Sequence, residues 1–259
     1  MFKRWVLKVA ALLMFIVPGL GFAQAPIAEP PTEADAQSLL SAFASYTDLR
    51  INSIRQSLEI LASTTEAKSG EWEKMKALLS GYQKSDSGLI VWFVRSDGIY
   101  YTVDKGHMDV KLSDRSYFPE LMSGQEITGA LVVSKATGQR STVIAVPMKK
   151  GDKVIGAIGA SLFLDRLAEQ VGSTLALRRD AAFFSLAPNG LTTLHKKTER
   201  EFLDPRELGS ATLKNATNEI LSNPTGATTY EFDNVAKKAI YRTSPLTQWK
   251  FVITFSAAQ

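Results

Sequence analysis

The sequence predicts an α+β fold in which a long N-terminal helix is followed by two modules built on antiparallel sheets. Three observations support this fold class. Apolar residues recur at every third or fourth position from Leu40 to Leu61, which is the period of an amphipathic helix. From Gly88 onward they occur in short strand-like runs between turn residues. After residue 176 the same order returns in shorter form, which indicates a second module of the same kind.

The helical region is expected over residues 33–85. Thr32 and Asp35 form a plausible capping box after Pro31, so the first helix should begin there. Its apolar stripe is interrupted by Thr47, which favours packing against the body of the protein over a free coiled coil. The stripe consists of Leu40, Phe43, Thr47, Ile51, Ile54, Leu58 and Leu61. A glycine at position 70 then breaks the pattern, and a second, shorter helix follows at Trp72–Tyr82.

The first sheet module is expected over residues 86–176. A hairpin, a short helical turn, three further strands and a helix follow one another between glycine-containing turns. In order, these are Leu89–Arg95, Ile99–Val103, Tyr117–Met122, Ile127–Val133, Arg140–Pro147, Val154–Leu162 and Leu164–Ala176. Within the last strand, Gly156 and Gly159 are expected to allow close packing rather than to bind a dinucleotide.

The second, smaller module is expected over residues 177–259. It repeats the hairpin, the helix and the closing strands of the first module. The predicted elements are Ala181–Leu186, Leu191–Leu194, the helix Leu208–Leu221, and the strands Ala227–Phe232, Lys237–Thr243 and Trp249–Phe255.

The N-terminus predicts export. Lys3 and Arg4 precede the apolar run Val9–Val17, and small residues precede a cleavage point after Ala23, so residues 1–23 are predicted to be a signal peptide. The alternatives are cleavage after residue 25, or an N-terminal segment that is not cleaved and anchors the protein in the membrane. Residues 24–32 form a Pro-rich tether. The chain has no cysteine, which excludes disulfides, thiolate zinc sites and lipidation, and fits a bacterial periplasm.

Charge and composition exclude two further classes of function. The formal net charge is +4, but the excess comes from Lys3, Arg4 and Lys8 at the N-terminus, so no nucleic-acid partner is expected. The two histidines, His107 and His195, lie in different modules, and no G-x-S-x-G motif or acidic calcium loop is present. We therefore expect no enzyme activity, no metal and no cofactor.

Several local strings, in this order and spacing, resemble the double Cache family of extracytoplasmic sensor domains, whose modules are PAS-like. The most specific is the segment Leu112–Phe118 (LSDRSYF). The others are Thr137–Gly138, Ile144–Pro147, Val154–Gly159, Leu164–Asp165 and the closing Pro245–Val252. Together they span nearly all of residues 33–256. The resemblance implies two stacked modules on a long helix, with the ligand held in the membrane-distal module at about residues 86–165.

The resemblance also implies which residues form the site. It places Arg115, Tyr117 and Phe118 over the pocket, where the guanidinium would bind a carboxylate in bidentate fashion. Among strand residues, Tyr101 is the expected wall of the pocket, while Trp92 is expected in the core. The hydroxyls of Ser134 and Ser161 are either ligand donors or groups satisfied within the protein. The competing interpretation of Arg115 is a surface salt bridge with its neighbour Asp114.

The sequence departs from family members that bind amino acids. Their amine-binding aspartate aligns with Ser161, and the second aromatic residue is Phe118, which lacks a hydroxyl. The expected ligand is therefore a small carboxylate or other polar metabolite rather than an α-amino acid. We expect a periplasmic sensor that signals to a separate membrane receptor or kinase. The alternatives are a protein-interaction module that uses the stripe from Leu40 to Leu61, or a hydrolase.

Overall fold

The computed structural model describes residues 33–256. The predicted signal peptide, the tether, the cap at Thr32 and the last three residues lie outside this range. Within it there are six α-helices, five of them at predicted places and one, a short helix at Thr65–Lys68, not predicted. They are α1 Glu33–Ser63, α2 Thr65–Lys68, α3 Trp72–Ser85, α4 Phe118–Met122, α5 Leu164–Leu175 and α6 Ala211–Ser222. None of the described helices combines the length and apolar composition needed to cross a bilayer.

The first sheet has six antiparallel strands. They are β1 Leu89–Arg95, β2 Ile99–Thr102, β3 Gly106–Lys111, β4 Ile127–Val133, β5 Arg140–Lys150 and β6 Lys153–Phe163, in the spatial order β3-β2-β1-β6-β5-β4. Strand β3 was not predicted, because Met108 and Val110 are its only apolar residues and it forms an exposed edge.

The second sheet has five antiparallel strands. They are β7 Ala181–Leu186, β8 Thr192–His195, β9 Thr225–Phe232, β10 Val235–Thr243 and β11 Lys250–Ser256, in the order β8-β7-β11-β10-β9. Helix α6 begins at Ala211, a few residues later than predicted, because the Ser210 side chain caps it by accepting a hydrogen bond from Leu213 N at 3.3 Å. The preceding residues form two short 3₁₀ segments, Thr198–Arg200 and Pro205–Glu207.

Helix α1 packs against both sheets and against α5. All seven residues of its predicted stripe are buried, and the six apolar ones belong to one hydrophobic cluster that also includes residues of β1, β6, β7 and β11. Phe43, for example, makes edge-on ring contacts with Phe183 at 5.1 Å and Phe251 at 4.7 Å. The chain thus covers this stripe with its own sheets, so the alternative in which the stripe binds a partner protein is wrong.

Polar contacts also join the two sheet modules. Trp249 Nε1, at the start of the last strand, donates to Gly129 O of β4 at 3.3 Å, and Ser244 Oγ donates to Asp48 Oδ1 of α1 at 2.7 Å. Gly129 has φ +102°, and an added Cβ there would lie 3.1 Å from Trp249 Nε1. The two modules therefore share one hydrophobic core, and the indole of Trp249 lies against the backbone at Gly129.

Candidate functional site

A small cavity lies on the face of the first sheet that points away from α1. Strand alternation separates the faces: Leu89, Val91 and Phe93 join the cluster around α1, whereas Trp92 and Val94 join a second cluster on the opposite face. The cavity is lined by Ile90, Trp92, Tyr100, Thr102, Leu112, Arg115, Tyr117, Val132, Ser134, Lys135, Ala136, Val143 and Ser161. Four of the six predicted site residues, Arg115, Tyr117, Ser134 and Ser161, are thus brought together.

The Arg115 guanidinium enters the cavity from the loop before α4. Its Nη2 donates to Val133 O at 2.7 Å, which orients the side chain. Its Nε is buried and has no hydrogen-bond partner within the described chain. The neighbouring Asp114 is paired with Lys135 Nζ at 2.6 Å instead. The interpretation of Arg115 as half of a salt bridge with Asp114 is therefore wrong, and its positive charge faces the cavity without a carboxylate from the described residues.

Two tyrosines stand beside this guanidinium. The rings of Tyr100 and Tyr117 are buried, and the Tyr100 hydroxyl has no hydrogen-bond partner among the described residues. Burial raises the pKa of both phenols, and the charge of Arg115 partly opposes this shift. Both hydroxyls therefore stay protonated at neutral pH and can donate to an anion.

The two serines already have partners in the protein. Ser161 Oγ accepts a hydrogen bond from Trp92 Nε1 at 3.2 Å. Ser134 Oγ accepts from Thr137 N at 3.3 Å and closes the turn at residues 134–138. Both serine hydroxyls therefore have a hydrogen-bond partner within the protein. Each also keeps a proton that it can donate to a ligand.

Tyr101 and Phe118 do not line the cavity. Tyr101 lies on the opposite face of the sheet, where its ring stacks on Trp72 at 5.2 Å and on Phe93 at 5.9 Å. The prediction of Tyr101 as a pocket wall is wrong, because β2 pairs Tyr101 with Phe93 and Tyr100 with Val94. Phe118 is buried in the hydrophobic cluster behind the cavity and supports its wall from outside.

Nine of the thirteen lining residues were not predicted as site residues, among them Trp92, Tyr100 and Lys135. Trp92 is in the core as expected, but it also faces the cavity, because Gly159 opposite it leaves room for the indole. An added Cβ at Gly159 would overlap that ring, which confirms the predicted close packing. The alternation that places Trp92 and Tyr100 on one face could have identified Tyr100, once the register of the hairpin was known.

The cavity encloses about 20 Å³. That is room for about one water molecule, well below the roughly 300–1,000 Å³ of small-molecule sites. The turn at residues 134–138 covers it: Lys135 Nζ donates to Asp114 and to Lys111 O at 2.6 Å, on the loop that leads to Arg115. A ligand larger than water therefore requires this turn to move.

Groups for other chemistry are absent from this region. No acidic residue lines the cavity. Within residues 33–256 no three His, Asp or Glu side chains stand close enough to hold a metal ion. Of the histidines, His107 lies on the edge strand β3 against Tyr101 at 5.3 Å, and His195 lies in the second sheet against Phe184 at 6.1 Å.

The observed architecture is thus two antiparallel sheets packed on one long helix, with a small cavity in the first. The family model described as a Cache domain, in its double form, matches residues 27–259. The chain therefore belongs to the double Cache family, as the resemblance implied. No curated protein matches the chain.

Solved structures share this fold at low sequence identity. The extracellular domain of rpHK1S-Z16, a protein assigned as a histidine kinase, has a TM-score of 0.72 at 17% identity, covering 87% of this chain and 94% of that one. The Pseudomonas aeruginosa PAO1 chemoreceptor PctB, in complex with L-Arg, has 0.67 at 16% identity over 86% and 92%. The Campylobacter jejuni chemoreceptor Tlp3, with isoleucine bound, has 0.62 at 14% identity over 86% and 90%. Related Cache domains are thus ligand-binding sensory modules, typically extracellular, rather than enzymes.

Proposed function

We propose that this protein is a periplasmic sensor that binds a small carboxylate, or a similar polar anion, in the cavity of its first module. One observation supports this most directly. The Nε of Arg115 and the hydroxyl of Tyr100 are both buried and have no hydrogen-bond partner within residues 33–256, and both side chains line the same cavity. Because a buried polar group without a partner costs about 1–3 kcal/mol, a ligand that satisfies both gains that energy on binding.

The ligand chemistry follows from the charge of the lining. Arg115 would hold a carboxylate, while Tyr100 and Tyr117 would donate to its oxygens and shield the pair from water. The amine of an α-amino acid would find no acidic partner, since Ser161 stands at the aspartate position and no lining residue is acidic. PctB and Tlp3 bind amino acids, which share the carboxylate with the proposed ligand but also carry an amine.

Ligand entry would involve the turn at residues 134–138. Its tether, Lys135, is bound to Asp114 on the loop that carries Arg115. We propose that the turn opens to admit the ligand and closes over it. Because the first sheet packs on α1, and α1 also contacts the second sheet, a shift at the cavity would reach the second module through this helix.

The experiment is a thermal-shift and calorimetric titration of the mature chain with matched probes: small monocarboxylates, their amides and the corresponding α-amino acids. A ligand that prefers the folded state raises the unfolding midpoint. We expect an acid to bind, its amide not to bind, and Arg115→Gln to weaken binding by about tenfold or more. Arg166→Gln is the control, since Arg166 is an exposed helix residue that pairs with Glu169.

Each contrary result has a separate meaning. An unchanged midpoint across the whole panel contradicts a carboxylate site in this cavity. Equal binding by wild type and Arg115→Gln contradicts the role of Arg115. An α-amino acid that binds more tightly than the acid without the amine contradicts the ligand class alone.

We also propose that residues 1–23 direct export and are removed, and that a separate membrane receptor or kinase receives the signal. Mass spectrometry of the periplasmic protein tests the first part, because a mature N-terminus at residue 24 is expected. Retention of Lys3 and Arg4 in a membrane fraction would favour an anchor instead. In-cell cross-linking from exposed positions of α1, such as Leu49 and Ile60, tests for the membrane partner.

A further inference from the structure

A second and much larger cavity lies on the second sheet, again on the face away from α1. It encloses about 370 Å³, which lies within the range of small-molecule sites. Its floor is formed by β7, β9, β10 and β11, and its walls come from the 3₁₀ segments and the start of α6. Phe184, Leu213, Tyr230 and Phe232 make much of its surface apolar.

The rim of this cavity is strongly basic. Five basic residues line it: Arg179, Lys196, Lys197, Arg200 and Lys237. Only two acidic residues, Asp180 and Asp233, accompany them, and Asp180 is already paired with Arg178 at 3.3 Å. Within the described chain none of the five basic side chains forms an ion pair with a carboxylate. Lys237 instead donates to Ser256 Oγ at 3.0 Å, and Lys196 donates to Ala181 O at 2.8 Å.

Arg200 is held where its charge acts on the cavity. Its guanidinium lies over the Phe232 ring, 4.6 Å from the centroid. That charge adds to the effect of burial in lowering the pKa of His195, and it partly opposes the rise that burial causes in the pKa of Tyr230. The face of the guanidinium is thus occupied by an aromatic ring, while its N–H edge remains available for a planar anion.

His195 supplies a neutral donor beside Arg200. Burial, with help from the charges of Arg200 and Lys197, lowers the pKa of His195 to about 4, so the imidazole is neutral at pH 7. Its Nδ1 accepts a hydrogen bond from Lys197 N at 2.8 Å. The proton of the neutral ring is therefore on Nε2, which has no partner among the described residues and can donate to a ligand.

We propose that this second cavity is a binding site for a small organic anion with a flat apolar body, an aromatic carboxylate, with Arg200 and Lys237 as the cations and His195 as a neutral donor. The apolar floor takes the ring, and the basic rim takes the carboxylate. This site is distinct from the cavity of the proposed function and does not depend on it, since the two lie on different sheets.

The two histidines of the chain allow a direct test, because each belongs to a different module. Histidine-labelled protein without an affinity tag is titrated with benzoate and followed by NMR of the imidazoles. We expect benzoate to shift the His195 resonances and to leave those of His107 unchanged. Benzyl alcohol, acetate and inorganic phosphate are the matched probes, and each is expected to bind at least about tenfold more weakly. No shift of His195 at millimolar benzoate overturns the proposal.

Variants separate this site from the first cavity. Calorimetry should show that Arg200→Gln weakens benzoate binding by about tenfold or more, that Arg200→Lys retains part of it, and that Arg166→Gln leaves it unchanged. If Arg200→Gln does not fold, Lys237→Gln replaces it as the test variant, because it removes the second proposed cation of the same cavity. Benzoate binding that is lost in Arg115→Gln but kept in Arg200→Gln would assign the ligand to the first cavity and overturn this proposal.

Discussion

The two sheet modules present their cavities in the same way but differ in size and charge. In both, the face away from α1 carries the cavity, because alternate strand residues on the other face are used for the shared core. The first cavity encloses about 20 Å³ around one arginine, and the second about 370 Å³ under five basic residues. One fold therefore provides two cavities, and the segments above each sheet set their size.

The difference arises from the segments that cover each sheet. Over the first sheet, α4 and the turn at residues 134–138 close on the strands, and two lysines tie the turn down: Lys135 to Asp114 and Lys105 Nζ to Ala136 O at 2.5 Å. Over the second sheet, the 3₁₀ segments and α6 form walls around a cavity of about 370 Å³. If both proposals hold, the first cavity would admit a small ligand after its turn opens, whereas the second would take a larger anion without such a step.

The largest expected effect tests whether the modules are one folding unit. Phe43 of α1 is fully buried against Phe183 and Phe251 of the second sheet. Phe43→Ala should lower the free energy of unfolding by about 3–5 kcal/mol through the lost burial and the cavity left behind. The matched control is Leu49→Ala, whose side chain is 69% exposed and should change stability by less than about 0.5 kcal/mol. Denaturant unfolding followed by fluorescence and circular dichroism measures both.

The same experiment examines cooperativity. If the two modules share one core, both probes should give coincident transitions in the wild type and in Phe43→Ala. Separate transitions for the two modules would contradict a shared core.

A second prediction concerns the packing behind the first cavity only. An added Cβ at Gly159 overlaps the Trp92 indole, so Gly159→Ala should destabilise the protein by about 1–3 kcal/mol and displace this lining residue. Gly81→Ala, in α3 with no atom within 4 Å of the new Cβ, should stabilise it by about 0.5–1 kcal/mol. Thermal unfolding and carboxylate titration of both variants check this. A Gly159→Ala variant as stable as wild type would show that the indole moves freely.

Much of this fold could be predicted because its local patterns agree with its packing. The helix stripe, the hairpin at the start of each module and the closing strands all carry strong periodicity, and each appears where expected. Strand β3 was missed because an exposed edge strand needs no apolar alternation. The family resemblance carried by residues 112–118 identified Arg115 and Tyr117 as cavity residues. The periodicity of this loop segment alone does not identify them.

The errors in the site come from information that a single strand does not contain. Tyr100 and Tyr101 are adjacent and chemically identical, and only the pairing of β2 with β1 decides which of them faces the cavity. The second cavity was not predicted at all. Its basic residues come from separate segments, Arg179, Lys196–Arg200 and Lys237, which are brought together by the strand order β8-β7-β11-β10-β9.

A third prediction uses a buried acid between the modules. Glu201 is 2% exposed, and its Oε1 has no partner among the described residues. Burial, reinforced by the charge of Asp165 and opposed by Arg140, raises the pKa of Glu201 to about 8. The unfolded chain releases this proton near its ordinary pKa of 4.5, while the folded chain keeps it until about pH 8. Stability should therefore fall as pH rises between these two values.

Glu201→Gln removes this dependence. At pH 9 the variant should be more stable than the wild type by about 1–3 kcal/mol, and the two should converge near pH 4. Glu199→Gln is the control, since Glu199 is exposed and two residues away. Chemical denaturation at several pH values is the measurement. An equal decline in both proteins from pH 5 to 8 would contradict the buried, protonated state of Glu201.

The smallest expected effect concerns the turn that closes the first cavity. Lys135 is partly buried, but its partner Asp114 has a side chain that is 65% exposed, so the pair stabilises the closed turn only weakly. Lys135→Gln should thus accelerate amide hydrogen exchange at residues 134–138 by about two- to fivefold and leave the second module unchanged. Lys149→Gln, an exposed lysine of β5, is the control. Equal acceleration in both modules would contradict an effect of the Lys135–Asp114 pair that is confined to this turn.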